Sequence, residues 1–428
     1  MTSAARAVVP TLLFVALALW PAPAAAQPQP PTDGCAACHL EIGDDRLVKP
    51  AKSYVGDVHA RVGFGCVACH GGDAKATGME AMDPAKGYVG KPGRQQIVQV
   101  CGRCHADARF MKQYNPSLRV DQVLEYATSV HGRRLRELND PKVAVCTSCH
   151  PAHSIKPPSD PASSVHPLRV ADTCGTCHAD AKYMTGYKIP TDQLEKYKTS
   201  IHWKTMSAKG DLSAPTCNKC HGNHGAAPPG VSWVGSVCGQ CHTVMAELFA
   251  KSPHAKVFAA MGLPGCATCH ENHAVQQASD EMLGLGDKAV CASCHSASDQ
   301  GGKSAAEMRA LIDSLRNESD KARATLLRAE QAGMEVSQAQ FDLNDAKNAV
   351  VKARAAIHTF TVSAVKKEID AGLGVSAKAS ARGARALDEL RFRRVGLGVS
   401  LVIILTLIAA LVLKIRQVDR RQRSSVES

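Results

Sequence analysis

Aromatic side chains are scarce in this 428-residue sequence, where Phe, Trp and Tyr together make up 4% of the residues. Such side chains supply much of the buried area of an ordinary globular core, so their scarcity argues against a large core of conventional composition. Cysteine is absent after Cys294, although 18 cysteines precede that point. The chain therefore divides into a cysteine-rich part and a cysteine-free part.

The sequence also lacks a basic surface of the kind that binds nucleic acid. Its net charge is +12, but residues 303–428 carry 22 Lys and Arg against 14 Asp and Glu and account for most of the excess. The cysteine-rich part is close to neutral. Nucleic acid is therefore not an expected partner.

Every cysteine belongs to a Cys-x-x-Cys-His motif, so no thiol remains for a disulfide, a zinc site or a nucleophile. Two thiols on one helical turn reach the two vinyl groups of a porphyrin while the adjoining histidine meets the iron, which makes this motif the attachment site of a c-type haem. The nine motifs predict nine covalently bound haems. The attachment cysteines are Cys35, Cys38, Cys66, Cys69, Cys101, Cys104, Cys146, Cys149, Cys174, Cys177, Cys217, Cys220, Cys238, Cys241, Cys266, Cys269, Cys291 and Cys294. The proximal iron ligands are His39, His70, His105, His150, His178, His221, His242, His270 and His295.

Nine further histidines equal the motifs in number, which matches one distal ligand for each iron. Most of them recur at fixed places in an internal repeat, either before a motif or three residues after its histidine. In the repeat, Cys101-Gly-Arg-Cys-His-Ala-Asp-Ala returns as Cys174-Gly-Thr-Cys-His-Ala-Asp-Ala, and Thr-Ser-Val-His131 returns as Thr-Ser-Ile-His202. The predicted distal ligands are His59, His131, His153, His166, His202, His224, His254, His273 and His358. Met111 and Met184 also recur, and we expect them to pack in the interior.

The doubled motifs Cys146 through His178, Cys217 through His242 and Cys266 through His295 resemble those of bacterial multihaem cytochromes c. The resemblance covers about residues 35–300 and implies exported, electron-carrying haems with two histidine ligands each. This sequence departs from the pattern near its start. Gly71-Gly72-Asp73 stands where the repeat has an extra histidine, and residues 74–100 are a cysteine-free insert.

The two ends of the chain predict export and a membrane anchor. Residues 1–26 combine Arg6, an apolar run and Ala24-Ala25-Ala26, as in a cleaved secretory signal peptide. Residues 395–413 carry no charge and are long enough to span a bilayer. Residues 414–428 form a basic tail, which the export of the N-terminal bulk leaves in the cytoplasm. The expected location is the bacterial inner membrane, with residues 27–302 in the periplasm.

Residues 303–394 read as a helical stalk. Ser304-Ala-Ala-Glu307 matches a capping box, and apolar residues recur at helical spacing on both sides of a break at Gly333. We predict an antiparallel hairpin, with a dimeric parallel coiled coil as the alternative. The hairpin would return His358 to the end of the stalk that holds the last motif.

The predicted fold is therefore mainly α: a haem-packed unit of short helices and loops, a helical hairpin and one transmembrane helix. Iron with two histidine ligands has no position for substrate, so we expect electron transfer between a quinol or membrane donor and periplasmic acceptors. Expected partners are a quinol-oxidising membrane subunit, such as a cytochrome b, and periplasmic cytochromes or terminal reductases.

Two other functions remain open from the sequence. The first is a reductase or oxidase of nitrite, hydroxylamine or a sulfur oxyanion with one open haem, although the Cys-x-x-Cys-Lys signature of one nitrite-reducing family is missing. The second is a mainly structural quinol-docking subunit. An iron that lacks a second histidine would favour the enzyme, whereas quinol oxidation only in complex with a membrane cytochrome b would favour the structural subunit.

Overall fold

The computed structural model describes residues 34–228 and 235–426, and the predicted signal peptide, residues 1–26, lies outside them. The described residues are mainly helical and contain no β-strand, as the sequence predicts. The chain divides into two compact units between Thr173 and Cys174. The predicted haem-bearing region, residues 27–302, therefore contributes to both units.

The first unit consists of short helices joined by loops and turns. The α-helices that begin in it are α1 (Gly34–Glu41), α2 (Asp45–Tyr54), α3 (Val58–Arg61), α4 (Val67–His70), α5 (Arg94–His105), α6 (Ala108–Met111), α7 (Gln122–Thr128), α8 (Val130–Leu138), α9 (Cys146–Cys149) and α10 (Pro167–His178). Two 3₁₀ helices, Met79–Met82 and Pro84–Lys86, lie in the insert. Among its described residues, the main apolar cluster contains three buried residues, Leu135, Val143 and Val145.

The second unit continues with short helices and ends in three long ones. The short α-helices are α11 (Gln193–Thr199), α12 (Ile201–Lys209), α13 (Cys217–His221), α14 (Gly235–Cys238), α15 (Thr243–Ala250), α16 (Pro253–Met261) and α17 (Cys266–His270). The long ones are α18 (Gln300–Gln331), α19 (Ser337–Ala356) and α20 (Val362–Val426). The 3₁₀ helices are Asp280–Met282, Val290–Ser293 and Ile357–Thr359.

The internal repeat is also a structural repeat. Helices α5 and α10 both end at the histidine of a motif, and α7–α8 correspond to α11–α12. Tyr126 donates a hydrogen bond to the Ala144 carbonyl at 2.8 Å, and its counterpart Tyr197 donates to Pro215 at 3.0 Å. Met111 and Met184 are both buried, as expected.

Helices α18 and α19 form the predicted hairpin, with Gly333 in the turn at φ +83°. The predicted start of the first helix was wrong. Helix α18 begins at Gln300, because the carboxylate of Asp299 caps it by accepting the Gly302 N–H at 2.9 Å. Ser304 therefore lies inside the helix. Gly301 allows this early start, since a Cβ there would lie 2.3 Å from the ring of His295.

Helix α20 adds a third member to the predicted two-helix stalk. Val365 and Ile369 on its first turns are fully buried and belong to the same apolar cluster as α18 and α19. Gly372 permits close contact with both helices, because a Cβ there would lie 2.6 Å from Leu315 and 2.8 Å from Ala349. We call α18, α19 and residues 362–394 of α20 the stalk.

A buried carboxylate connects the stalk to the loop between the eighth and ninth motifs. Asp280 accepts hydrogen bonds from Arg354 of α19 and Arg316 of α18, each at 2.8 Å. The hydrogen bond from Arg354 is the main reason that the pKa of Asp280 is lowered, despite partial burial. This contact fixes the loop on the stalk.

Beyond the stalk, α20 continues through the predicted membrane span. It is the one helix among the described residues that is long and apolar enough to cross a membrane. Residues 395–413 are exposed along their whole length, as expected for a segment surrounded by lipid.

Candidate functional site: paired histidines

Six motif histidines each lie opposite a histidine from outside the motifs. The ring centroids of these pairs are 5.9 to 6.4 Å apart. The pairs are His105 with His59, His70 with His153, His242 with His202, His221 with His273, His295 with His254, and His270 with His358. Partners in a pair are at least 40 residues apart in the sequence, so only the tertiary fold brings them together.

One class of partner histidine sits in the first turn of a short helix. His59 lies two residues after Asp57, which caps α3 by accepting the His59 N–H at 2.9 Å. The hydroxyl of Ser200 caps α12 in the same way, by accepting the Trp203 N–H, and His202 lies two residues after it. A capping residue followed two positions later by histidine thus fixes the ring at a helix N-terminus. Ser129 with His131 and Ser252 with His254 have the same spacing.

The other class of partner follows a motif by three residues. His153 faces His70 with its ring only 10° from parallel, and His273 faces His221 with its ring 7° from parallel. The backbone of His153 has a φ of +68°, which is uncommon for a residue other than glycine. Such backbone strain is typical of positions that the surrounding structure holds for a function.

His358 reaches a motif from the stalk. It lies in the 3₁₀ turn Ile357–Thr359 after α19, and its ring faces that of His270 in the eighth motif at 6.2 Å. The sequence predicted that this histidine would return to the end of the stalk near the last motif. The structure assigns it to the motif before that one.

Several of the paired rings are held by a hydrogen bond at Nδ1. The acceptors are the Asp57 carboxylate for His59, the Asp299 carboxylate for His295, and backbone carbonyls of Gly90, Ala227 and Ala355 for His70, His221 and His358. A proton held at Nδ1 leaves the lone pair of Nε2 free for a metal, and a carboxylate acceptor makes the ring a stronger donor. These rings are therefore oriented and in the tautomer that a metal requires.

His254 is positioned differently. Its Nδ1 is buried and has no hydrogen-bond partner, while the ring of Phe360 lies 3.9 Å from it, centroid to centroid. Phe360 follows the turn that carries His358 and has a φ of +53°. One loop of the stalk thus contributes His358 to the eighth motif and supports His254 at the ninth.

Burial favours the neutral form of five of the paired imidazoles. It lowers the pKa of His153, His202, His254, His270 and His273, and in each case the facing histidine lowers it further. Neutral imidazole is the form that binds a metal, because the protonated ring has no free lone pair.

Consecutive motifs approach one another through their cysteines within each unit. In the first unit, the neighbouring Cys146 thiol raises the pKa of Cys101, and Cys104 contributes after burial to the raised pKa of Cys69. In the second unit, the Cys266 thiol raises the pKa of Cys238, and the corresponding neighbours are Cys220 with Cys241 and Cys269 with Cys291. These neighbours connect consecutive motifs from the second to the fourth and from the sixth to the ninth.

The arrangement differs from a zinc site. Across residues 34–228 and 235–426, no three or more His, Cys, Asp or Glu side chains converge as they would around a metal ion.

The remaining predicted ligands occupy repeat positions or stand apart. His131, His150, His178 and His224 lie on the repeated elements, and the pKa of His178 is lowered by burial and by His221. Among the described residues of the first unit, no other histidine ring faces His39 or His166. His39 lies half-buried on α1.

Sequence reasoning missed the residues that support the histidines. Asp57 lies two residues before a histidine, where the other capping segments have serine. This shared spacing is the one sequence signal that could have identified it. Phe360 and Gly90 are far from their histidines in the sequence and carry no motif.

Comparison with known proteins finds no match: no family model fits the chain, and no curated protein or solved structure is significantly similar to it.

Proposed function

We propose that this chain is a multihaem c-type cytochrome that carries electrons at a membrane. The observation that carries the proposal is the pairing of six motif histidines with six histidines from outside the motifs. Each motif adds two cysteines on the same turn of chain, which is the arrangement that covalent haem attachment needs.

The ring separations fit a shared iron atom. Two imidazole nitrogens at about 2 Å from a metal, each about 1.1 Å from its ring centre, put the centroids about 6.2 Å apart. The pairs have separations of 5.9 to 6.4 Å. Direct packing of two aromatic rings spans a wider range, about 4.5 to 7 Å, so six values in this narrow interval favour a common cause.

The small apolar core of the first unit also supports the proposal that the chain binds haem. Three residues, Leu135, Val143 and Val145, form its main buried cluster. A unit of this size with so little side-chain core needs another apolar component, and porphyrins supply large flat apolar surfaces.

When bound, each haem supplies reversible one-electron oxidation and reduction at its iron. The 18 cysteines of the nine motifs would hold nine haems, and the motif histidines would be the proximal ligands. The distal ligands would be His59, His153, His202, His254, His273 and His358 in the six pairs, and His131 and His224 by their place in the repeat. The carboxylate of Asp57 orients His59, and the proximity of successive motifs keeps the sites close together.

The membrane anchor supports a location at the bacterial inner membrane. Helix α20 joins the stalk to the apolar span without interruption, and the stalk loop carries His358 and Phe360 to the last two motifs. We therefore expect donors at the membrane, such as a quinol-oxidising subunit with a cytochrome b, and acceptors among periplasmic cytochromes or terminal reductases.

The test is a count of covalent haems on the full chain produced in a host that exports and matures c-type cytochromes. We expect nine haems per chain from a pyridine haemochrome assay and from the intact mass. The double variant Cys101→Ala/Cys104→Ala should carry eight. A chain without covalent haem, or one that binds zinc through its thiols instead, would refute the proposal.

A second function, catalysis at one open haem, is favoured by one specific observation. His39 belongs to the first motif and faces no other described histidine of the first unit, unlike its counterparts in the six pairs.

A further inference from the structure

The first motif differs from the six paired motifs because no histidine of its own unit faces its histidine. His39 lies on α1, and the seven other histidines of the first unit lie within the described residues. None of these seven faces the His39 ring. In the same structure, six other motif histidines each face a histidine from outside the motifs, with ring centroids 5.9 to 6.4 Å apart.

The spacing of the pairs explains why a capped-helix histidine does not reach His39. His105, His242 and His295 face histidines that lie 40 to 46 residues upstream of them. Residues 1–38 contain no histidine. The first motif therefore lacks an upstream histidine of this class.

A histidine of the second class, which follows a motif by three residues, is also missing beside α1. The segment that touches α1 follows the second motif, and the Gly34 N–H donates to the Ala74 carbonyl at 2.9 Å. Three residues after His70, where His153 and His273 have their counterparts, this segment has Asp73. The Asp73 carboxylate is already occupied, since it accepts hydrogen bonds from Lys86 at 2.9 Å and from the Lys75 N–H at 3.0 Å.

His166 also faces no other described histidine of the first unit, and it has a structural role. It precedes α10, its carbonyl accepts the Val170 N–H at 3.0 Å, and its Nδ1 accepts the Leu168 N–H at 3.3 Å. It therefore acts as the N-cap of α10, whereas His59 and His202 lie two residues after their caps. Because Nδ1 accepts this bond, the proton of the neutral ring is on Nε2, the nitrogen that a ligand would need free.

A cavity of about 180 Å³ lies beside the first motif and offers few alternative donors. Its lining is Ala36, Leu40, Ala51, Lys52, Tyr54, Val55 and Cys66. The Tyr54 hydroxyl already donates to the Phe64 carbonyl at 2.8 Å, and Cys66 belongs to the second motif. Lys52 is exposed, so its amine is solvated by water.

We propose that the chain gives the first haem one axial ligand, His39, and leaves its other face to a small exogenous ligand of iron. This rests on the proposed haem function and deepens it. The ligand class is small and either neutral or anionic, with carbon monoxide and cyanide as probes. Because Cys66 of the second motif lines the same cavity, this site would lie next to the second haem.

The experiment measures carbon monoxide binding to the dithionite-reduced full chain, together with electron paramagnetic resonance (EPR) of the oxidised chain. We expect one carbon monoxide per chain and one high-spin ferric signal beside low-spin signals. His166→Ala should leave both unchanged. His273→Ala, which removes one partner of a pair, should raise the binding to two per chain.

Four results would overturn the inference. The first is wholly low-spin iron that does not bind carbon monoxide, and the second is a new carbon monoxide site in His166→Ala. The third is carbon monoxide binding that appears only in Lys52→Ala. The fourth is a His273→Ala variant that binds the same number of carbon monoxide molecules as the wild type. The haem count separates the two proposals. Nine covalent haems without an open site would refute this inference and leave the electron-transfer function intact, whereas a chain without covalent haem would refute both.

Discussion

The stalk and the first unit are both helical, but they are held together in different ways. The stalk belongs to a cluster of 18 buried apolar residues, most of them at helical spacing along α18, α19 and α20. The first unit has a cluster of three. Its helices are short, and capping residues and turns end them. They do not pack along a continuous apolar face, as the stalk helices do.

The comparison teaches that helix content alone does not reveal what stabilises a region. Burial of apolar side chains contributes about 25 cal/mol per Å². A stalk whose helices each carry a stripe of buried apolar side chains can be stabilised by those side chains alone. Helices as short as α3 or α9 are unstable in isolation because helix nucleation is costly. We therefore expect the first unit to depend on the proposed haems as well as on its own side chains.

The largest expected effect comes from withholding haem. A chain produced without covalent haem attachment should lose the fold of residues 34–173 while the stalk remains helical. Limited proteolysis with mass spectrometry measures this directly. Cleavage should concentrate in residues 34–173 and spare the stalk, and the haem-loaded chain serves as the control. Equal protection of both regions would contradict the comparison.

A cavity in the stalk should have the next largest effect. Leu315 is fully buried, so Leu315→Ala should lower the free energy of unfolding of the stalk by about 2–5 kcal/mol. Leu327 on the same helix is 46% exposed, and Leu327→Ala should change it by less than about 0.5 kcal/mol. Urea denaturation followed by far-UV circular dichroism compares the two. Similar losses for both variants would argue against the assigned packing.

The Asp280 contact should have a smaller effect that depends on pH. Asp280→Asn weakens the hydrogen bonds with Arg354 and Arg316 and should cost about 1–3 kcal/mol at neutral pH. Because the hydrogen bond from Arg354 lowers the pKa of this carboxyl, its contribution is complete above the ordinary pKa of about 4 and is lost as the pH falls through the lowered value.

The difference in stability between wild type and Asp280→Asn should therefore shrink in acid. Thermal unfolding at a series of pH values measures it. The control is Glu281→Gln, which removes the neighbouring exposed contact with Lys288 and should leave stability unchanged. A difference that stays constant down to the lowest pH would contradict the assigned role.

The smallest expected effect is on the electronic properties of one site. Asp57 is fully buried and accepts a hydrogen bond from His59 at 2.9 Å. Asp57→Asn should make His59 a weaker donor and shift one reduction potential to a more positive value. Spectroelectrochemical titration measures this shift. Asp44→Asn alters a different helix cap and should leave every potential in place, and an unchanged titration of Asp57→Asn would show that the carboxylate does not tune the site.

Much of the fold follows from local sequence. The mainly helical class, the hairpin turn at Gly333, the buried Met111 and Met184, and the apolar span are all visible in composition and periodicity. The start of α18 was predicted incorrectly, because Ser304 and Glu307 match a capping box while Asp299, in contact with Gly302, is the actual cap. The third stalk helix was missed, since its buried positions include Gly372 and Ser376, which do not read as an apolar stripe.

The sequence by itself determined how many thiols and imidazoles this protein has and where they lie along the chain, because the motifs are local and each sits on one turn. Only the tertiary structure decided which histidine faces which. His270 with His358, and His70 with His153, meet through folds of the chain that no local pattern encodes. The packing of the first unit brings none of its other described histidines to face His39, because the proximity of distant residues depends on the whole fold rather than on any single segment.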